Sequence, residues 1–197
     1  MGNYNNQEPG FDWYTVVSNT SPLEQGDLLN NFPIIVIPPS IADIPDKPIG
    51  EQIEAKEPYK VKTYNVIVMT QSCDFAKLKD EDEIILCPLF NYSELFSKEP
   101  KKWGPDQWKN LINGRIIHIY IVNKYDAQDH KFDYQVVDLR RIFSVPLSLV
   151  KKVATNQNSR VRLLPPYREH LAQAFARQFM RVGLPIDLPR EFPYKKN

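Results

Sequence analysis

Two short stretches near the middle of the chain carry the strongest hydrophobic signal. Val66 to Thr70 reads Val-Ile-Val-Met-Thr, and Ile84 to Leu89 is nearly as apolar. Unbroken apolar runs of this length, rich in β-branched residues, predict strands buried on both faces. The charged segment Lys77 to Glu83 between them predicts a turn. Upstream, Leu28 to Ile37 has the composition of a strand but is interrupted by Asn30, Asn31 and Pro33. Downstream, Arg115 to Asn123 and Phe132 to Asp138 predict a third and a fourth strand around the charged hairpin Lys124 to Lys131. Arg160 to Leu164 predicts a last, basic strand.

Helical signals are fewer. Tyr92 to Ser97 suits one or two helical turns. Pro105 to Asn113 predicts a short helix, with Pro105 in its first turn and Gly114 at its C-terminal end. Ser144 to Ala154 predicts another, with Pro146 in the first turn. The clearest helix is Pro166 to Val182. Leu171, Phe175, Phe179 and Val182 recur at four-, four- and three-residue spacing, which makes one apolar stripe, and Gly183 and Pro185 supply the stop. The elements sum to an α+β fold: a strongly twisted antiparallel sheet, barrel-like, with a C-terminal amphipathic helix packed on it.

Proline outnumbers glycine 17 to 7, so much of the chain must lie in loops, at edge strands and in first helical turns. Residues 38–60, crowded with prolines and charges, predict a loop insertion. With 197 residues, the expected organisation is a tail over 1–20, one domain over 21–184 and a Pro-rich tail over 185–197. A formal charge of +1 leaves no global field toward nucleic acid or an anionic membrane, so any such partner would be met by a local patch. No apolar run approaches the roughly 20 residues of a membrane helix, and no leader-like segment is visible. Two cysteines are not a disulfide framework; free thiols and a cytoplasmic setting are expected.

Three segments together resemble the MazF/PemK family of toxin ribonucleases: Gln25-Gly26-Asp27-Leu28-Leu29, the run Tyr64 to Ser72, and Ile84 to Phe90. The resemblance covers roughly the first half of the chain. It implies a small twisted barrel of the Src-homology-3 type, homodimerisation or membership of a larger complex, and a toxin–antitoxin or phage-defence setting. Members that cleave RNA carry an arginine in a Gly-x-Arg-Pro setting and a Thr or Ser after a Pro-Leu pair. Here no Arg-Pro precedes Tyr64, and Phe90 follows Pro88-Leu89. A phenyl ring has no hydroxyl to stabilise a phosphorane oxygen. The resemblance therefore implies a binding module without the usual cleavage apparatus.

Candidate chemistry lies at three places. Gln71, Ser72, Cys73 and Asp74 follow the most buried strand, where a rigid element delivers polar groups to a loop. Cys73 is a candidate nucleophile, His118 a candidate base and Asp138 its candidate orienter. Against this stands the ordinary behaviour of cysteine as a small buried hydrophobe. The spacing of cysteines and histidines fits no zinc pattern, and neither a metal nor a cofactor is expected. On the last helix His170, Gln173, Arg177 and Arg181 share the face opposite the apolar stripe, Arg168 sits in its first turn, and Arg160 and Arg162 lie just upstream. Arginine forks match phosphate or carboxylate, so this stripe is a candidate contact for nucleic acid or a protein partner. A solvated helix face with internal ion pairs is the plainer reading. Trp103 and Trp108 are stacking platforms if exposed; burial at the end of the sheet is the expectation. The leading expectation is a non-catalytic binding module; the alternative is an enzyme, either a ribonuclease with a relocated site or a hydrolase using Cys73.

Overall fold

A computed structural model describes residues 11–37, 60–127 and 129–180. In chain order the elements are β1 (Tyr14–Ser18), β2 (Leu28–Val36), β3 (Lys60–Val68), β4 (Glu83–Asn91), α1 (Tyr92–Lys98), α2 (Pro105–Ile112), β5 (Ile119–Val122), β6 (Tyr125–Ala127), β7 (His130–Phe132), β8 (Gln135–Asp138), β9 (Phe143–Pro146), α3 (Leu147–Thr155), β10 (Ser159–Leu163) and α4 (Tyr167–Phe179). The insertion expected over 38–60 lies outside the described residues except for Lys60, which opens β3. The tail expected over 185–197 lies outside them as well.

The two apolar runs are the middle of the fold, as their composition requires. The main sheet runs β2-β3-β4-β8-β5, and β9 pairs with the first half of β4. All of these ladders are antiparallel. Because side chains alternate across a strand, β3 and β4 feed two cores at once. Val66 and Val68 join Leu29, Phe32, Ile84, Leu86, Val145, Leu147 and Val150 on one face. Ile67 joins Tyr14, Leu28, Cys87, Leu89, Val137, Leu163 and Leu171 on the other. Each such side chain contributes about 1.5–3 kcal/mol when fully buried. Helix α3 covers the first face, and α4 with the β1–β10 pair covers the second.

The polar interruptions in β2 have local causes. The β2–β3 register shifts between Leu29 and Phe32, and Asn30 and Asn31 are the exposed residues at that bulge. Asn31 takes a left-handed φ of 52°, which asparagine tolerates, and its N–H donates to the Asn65 Oδ1 at 3.1 Å. Pro33 is accommodated because β2 is an edge of the main sheet. Gly26 has a φ of 86°, and a Cβ there would stand 3.1 Å from both the Leu163 carbonyl oxygen and the Leu163 Cβ. The backbone threads between two strands at this point: the Gly26 N–H donates to the Val68 carbonyl at 2.9 Å, and its carbonyl accepts from the Leu163 N–H at 2.9 Å.

Several expectations are corrected by the structure. Among the described residues the sheet does not close into a barrel. β1 pairs with β10, a bridge between Asp27 and Arg162 carries that pair onto the start of β2, and the outer strands β1 and β5 share no ladder. They meet through a side chain instead, the Tyr14 hydroxyl donating to the Asn123 carbonyl at 2.6 Å. The third strand is shorter than 115–123. Gly114 takes a positive φ of 62° after α2, and a turn at Ile117 and His118 precedes β5. The fourth splits: Phe132 ends β7, the Asp133 carboxylate accepts the Tyr134 N–H at 2.7 Å, and β8 starts at Gln135. The helix expected from Ser144 starts at Leu147, because Phe143–Pro146 is claimed by β4 as a strand.

Candidate functional site

The buried charges form one constellation at the joint between β10 and the segment before β2. Asp27 is 0% exposed, Arg160 1% and Arg162 8%. Arg160 Nε donates to Asp27 Oδ2 at 2.8 Å, and its other nitrogens donate to the carbonyls of Ser18, Ser21 and Pro22 at 2.9, 2.7 and 2.7 Å. Arg162 Nε and Nη2 grip the two oxygens of Asp27 at 2.5 and 3.0 Å, and its Nη1 reaches Glu24 at 2.5 Å. For Arg162, burial disfavours the charged form, but hydrogen bonding and charge from Asp27, with charge from Glu24, outweigh it and raise its pKa. The expected surface placement of Arg160 and Arg162 is therefore corrected. Their donors are consumed in tying residues 18–27 to the last strand, and no phosphate can reach them. Arg168 is also engaged, with Glu24 at 3.3 Å and Glu169 at 3.0 Å.

The loop after β3 is likewise pinned. The Thr70 hydroxyl accepts the Ile85 N–H at 2.9 Å, Ser72 accepts the Gln25 N–H at 3.1 Å, and the Gln25 amide donates to the Met69 carbonyl at 2.8 Å. Gln71, Cys73 and Asp74 are exposed. The Cys73 thiol lies 3.7 Å from the Gln71 amide oxygen and 3.8 Å from the Asp74 carboxylate, partners within its own turn. His118 and Asp138 stand together at the far end of the sheet: the His118 carbonyl accepts the Leu139 N–H at 3.0 Å, and Ile119 is paired with Asp138. Asp138 accepts the Arg140 N–H at 3.1 Å and faces its guanidinium at 3.5 Å. Cys87, buried in the core, is a thiol that feels the charge of Asp138. Burial pushes the thiol's pKa up to about 12, with the carboxylate's charge adding to the shift.

The remaining residues of the expected basic face come together at a groove of about 920 Å³. Its walls are α2, β5 and α4. Ile112, Ile117, Ile119 and Ile121 supply apolar surface; His170, Gln173 and Arg177 form a polar rim; Trp13 and Trp108 stand at its margins. Ile112 is 56% and Ile117 41% exposed, an unusual pair to leave in water beside each other. Trp13 stacks on Tyr167 at 3.6 Å, and Trp108 meets the ring edges of Tyr92 and Tyr134 at 4.9 and 4.8 Å, so both indoles are held rigid. Trp103 is buried, as expected. Arg181 lies outside the described residues.

Sequence reasoning missed the isoleucines of this groove, because a run such as Ile116 to Val122 reads as buried strand. Only its position at the end of the sheet exposes one flank. A second cleft of about 850 Å³ is lined by the amides of Asn65, Asn91 and Gln135. Those amides largely satisfy one another: Gln135 donates to Asn91 and to the Asp133 carbonyl, and Asn91 donates to Glu94 at 2.7 Å. Among the described residues no group of three or more His, Cys, Asp or Glu side chains is placed to hold a metal. No described helix is long and apolar enough to cross a membrane.

Compared with protein-family models, with curated proteins and with solved structures, the chain matches none.

Proposed function

We propose that this chain is a binding module that captures a protein partner through the groove between α2, β5 and α4. The observation that carries the reading is the pairing of a concave apolar surface of about 920 Å³ with a thin polar rim. Concave apolar surface with few, fixed polar groups is what protein and peptide ligands select. The competing nucleic-acid reading loses its main support with the sequestration of Arg160 and Arg162 and the pairing of Arg168. Arg177 is what remains of the described basic stripe at the groove. A nucleophilic role for Cys73 would need a base, and the thiol's hydrogen-bond partners are an amide and a carboxylate of its own turn.

The MazF/PemK resemblance of Gly26-Asp27 and the two buried strands complements this proposal. An antiparallel sheet that stays open among the described residues is compatible with a divergent relative of that barrel type. In this reading the chain is a non-catalytic member of such a module, a subunit of a bacterial toxin–antitoxin or antiviral-defence assembly in the cytoplasm.

The test compares the full chain with a double variant, Ile112→Asp plus Ile117→Asp, as baits in extracts of the native host. Both positions are exposed, so the fold should survive. A partner retained by the wild type and lost by the variant is the expected result, followed by titration of that purified partner. Equal retention by both baits refutes the groove. In parallel, a labelled single-stranded RNA is titrated against salt. Binding whose log–log salt slope falls by about one on Arg177→Ala would replace the protein reading with a nucleic-acid one.

A further inference from the structure

Ile119 to Asn123 line the groove one after another. Successive side chains of a strand point to opposite faces, so a cavity that touches every residue in turn runs along the strand's edge. Among the described residues β5 pairs with β8 alone and ends the sheet. The register tells which of its backbone groups point outward. The Leu139 N–H donates to the His118 carbonyl at 3.0 Å, one step before Ile119 stands opposite Asp138. In an antiparallel ladder, residues that exchange hydrogen bonds alternate with residues that face away. Tyr120 and Val122 therefore face β8, and Ile119, Ile121 and Asn123 turn their backbone groups to the groove. Two contacts agree with this alternation. The Ile119 N–H bends back to the Ile116 carbonyl at 3.3 Å, and the Asn123 carbonyl accepts the Tyr14 hydroxyl at 2.6 Å. Between them Ile121 directs both its N–H and its C=O outward, with no partner for either among the described residues. A donor and an acceptor on one residue of a sheet edge are what an added strand pairs with.

The two walls of the groove differ in chemistry. Ile119 and Ile121 join the cluster of Trp103, Leu111 and Val136 on the α2 side, whereas Tyr120 and Val122 join the core that holds Leu171 of α4. A strand laid along β5 would alternate in the same way. One set of its side chains would meet α2, where exposed Ile112 offers apolar surface. The other set would meet α4, which offers His170, Gln173 and Arg177. No Asp or Glu lines the groove. Arg168, in the first turn of α4, is answered by Glu24 and Glu169, but among the described residues Arg177 has no carboxylate partner. An unanswered guanidinium at the rim of an apolar groove is complementary to a ligand that brings its own carboxylate.

We propose that the groove takes an extended acidic–apolar segment of a partner protein as an added strand along β5, paired backbone to backbone at Ile121, with apolar side chains against α2 and a carboxylate against Arg177. This rests on the groove being the binding site, and it names the ligand class: a segment in which apolar and acidic residues alternate. Main-chain pairing supplies affinity, and the two unlike walls supply selectivity through alternate side chains.

A displayed library of random decapeptides, panned on the full chain, tests it. The enriched peptides should alternate apolar residues with Asp or Glu. A synthetic copy of one, at saturation, should slow exchange of the Ile121 amide roughly tenfold or more, read by nuclear magnetic resonance. N-methylation of the peptide's central apolar residue should abolish binding, because it removes the donor that pairs with Ile121. Arg177 is exposed, so Arg177→Glu should leave the fold intact; it should weaken the acidic peptide roughly tenfold or more. Re-panning on that variant should select Lys or Arg in place of the acidic residues. An Ile121 amide unmoved by saturating peptide, or enriched peptides with apolar residues at three- and four-residue spacing, overturns the added strand. Equal affinity of wild type and Arg177→Glu overturns the carboxylate contact. A library that yields no enriched peptide overturns the proposal as a whole. The groove is judged separately: if Ile112→Asp plus Ile117→Asp still abolishes partner capture from host extracts, the groove stands and its occupant is not a strand.

Discussion

Replacing Asp27 by asparagine probes the one fully buried carboxylate in the described structure that answers two guanidinium groups. The substitution is nearly isosteric, so packing is unchanged and only charge and acceptor capacity are lost. Asp27 accepts from Arg160 Nε, from Arg162 Nε and Nη2, and from the Glu24 N–H at 3.1 Å. After the change, Arg160 keeps its three carbonyl acceptors but has no counter-ion, and it is 1% exposed. Arg162 retains Glu24, which is partly in water. Removing one partner of a buried ion pair costs about 3–5 kcal/mol, because the other charge is left buried and uncompensated. That is a large part of the roughly 5–15 kcal/mol that holds a domain together. With a urea m-value of about 1–3 kcal/mol/M, the midpoint of unfolding should fall by roughly 1–2 M or more. Asp126→Asn is the control: it removes an equally short ion pair, with Lys131 at 2.5 Å, that is largely exposed, and should cost less than about 1 kcal/mol. A loss at Asp27 no greater than at Asp126 would refute the claim that the clasp organises residues 18–27 against β10.

Four further outcomes follow from the same geometry. Ile67→Ala, at the centre of the buried strand, should cost about 2–5 kcal/mol by denaturant unfolding, whereas Ile35→Ala, 58% exposed on the edge strand β2, should stay within about 0.5 kcal/mol. Gly26→Ala should destabilise by about 1–3 kcal/mol, since it combines a left-handed φ with a Cβ pressed against the Leu163 backbone; a neutral thermal shift would contradict the described turn. Iodoacetamide at neutral pH should label exposed Cys73 and spare buried Cys87, with mass spectrometry of tryptic peptides as the readout. The folded state holds the Cys87 proton up to about 12 against an ordinary value of 9.0, so the unfolded chain ionises first and stability should decline as pH climbs through that window. Tyr120, raised to about 12 by burial and then by the charge of Tyr167, adds to the same decline from its ordinary 10.0 upward, and late phenolate absorbance on alkaline titration reports it.

The α+β class, the two doubly buried strands, the interruption at Asn30 and Asn31, and the final helix were legible in the chain because each depends on local periodicity or on backbone preference. Val66 to Met69 and Ile84 to Leu89 have no polar alternate positions, so only the interior of a layered fold can hold them. The turn at Gly114 follows from a residue that bends the backbone wherever it occurs, whereas the last helix ends at Phe179, short of the expected Val182. Other features depend on what lies across space. Arg160 and Arg162 read as a basic strand suited to phosphate, yet Asp27, 133 and 135 residues away, turns them inward. No local rule pairs charges over that separation. The same reasoning applies to Ile117, exposed in the turn before β5, and to Ile121, half-buried on a strand that ends the sheet. Tertiary packing also set His118 and Asp138 beside each other while Cys73 engaged its own turn. Short-range sterics and hydrophobic period select the elements; the site is made by which element happens to lie at an edge, and that is decided only when the whole sheet is assembled.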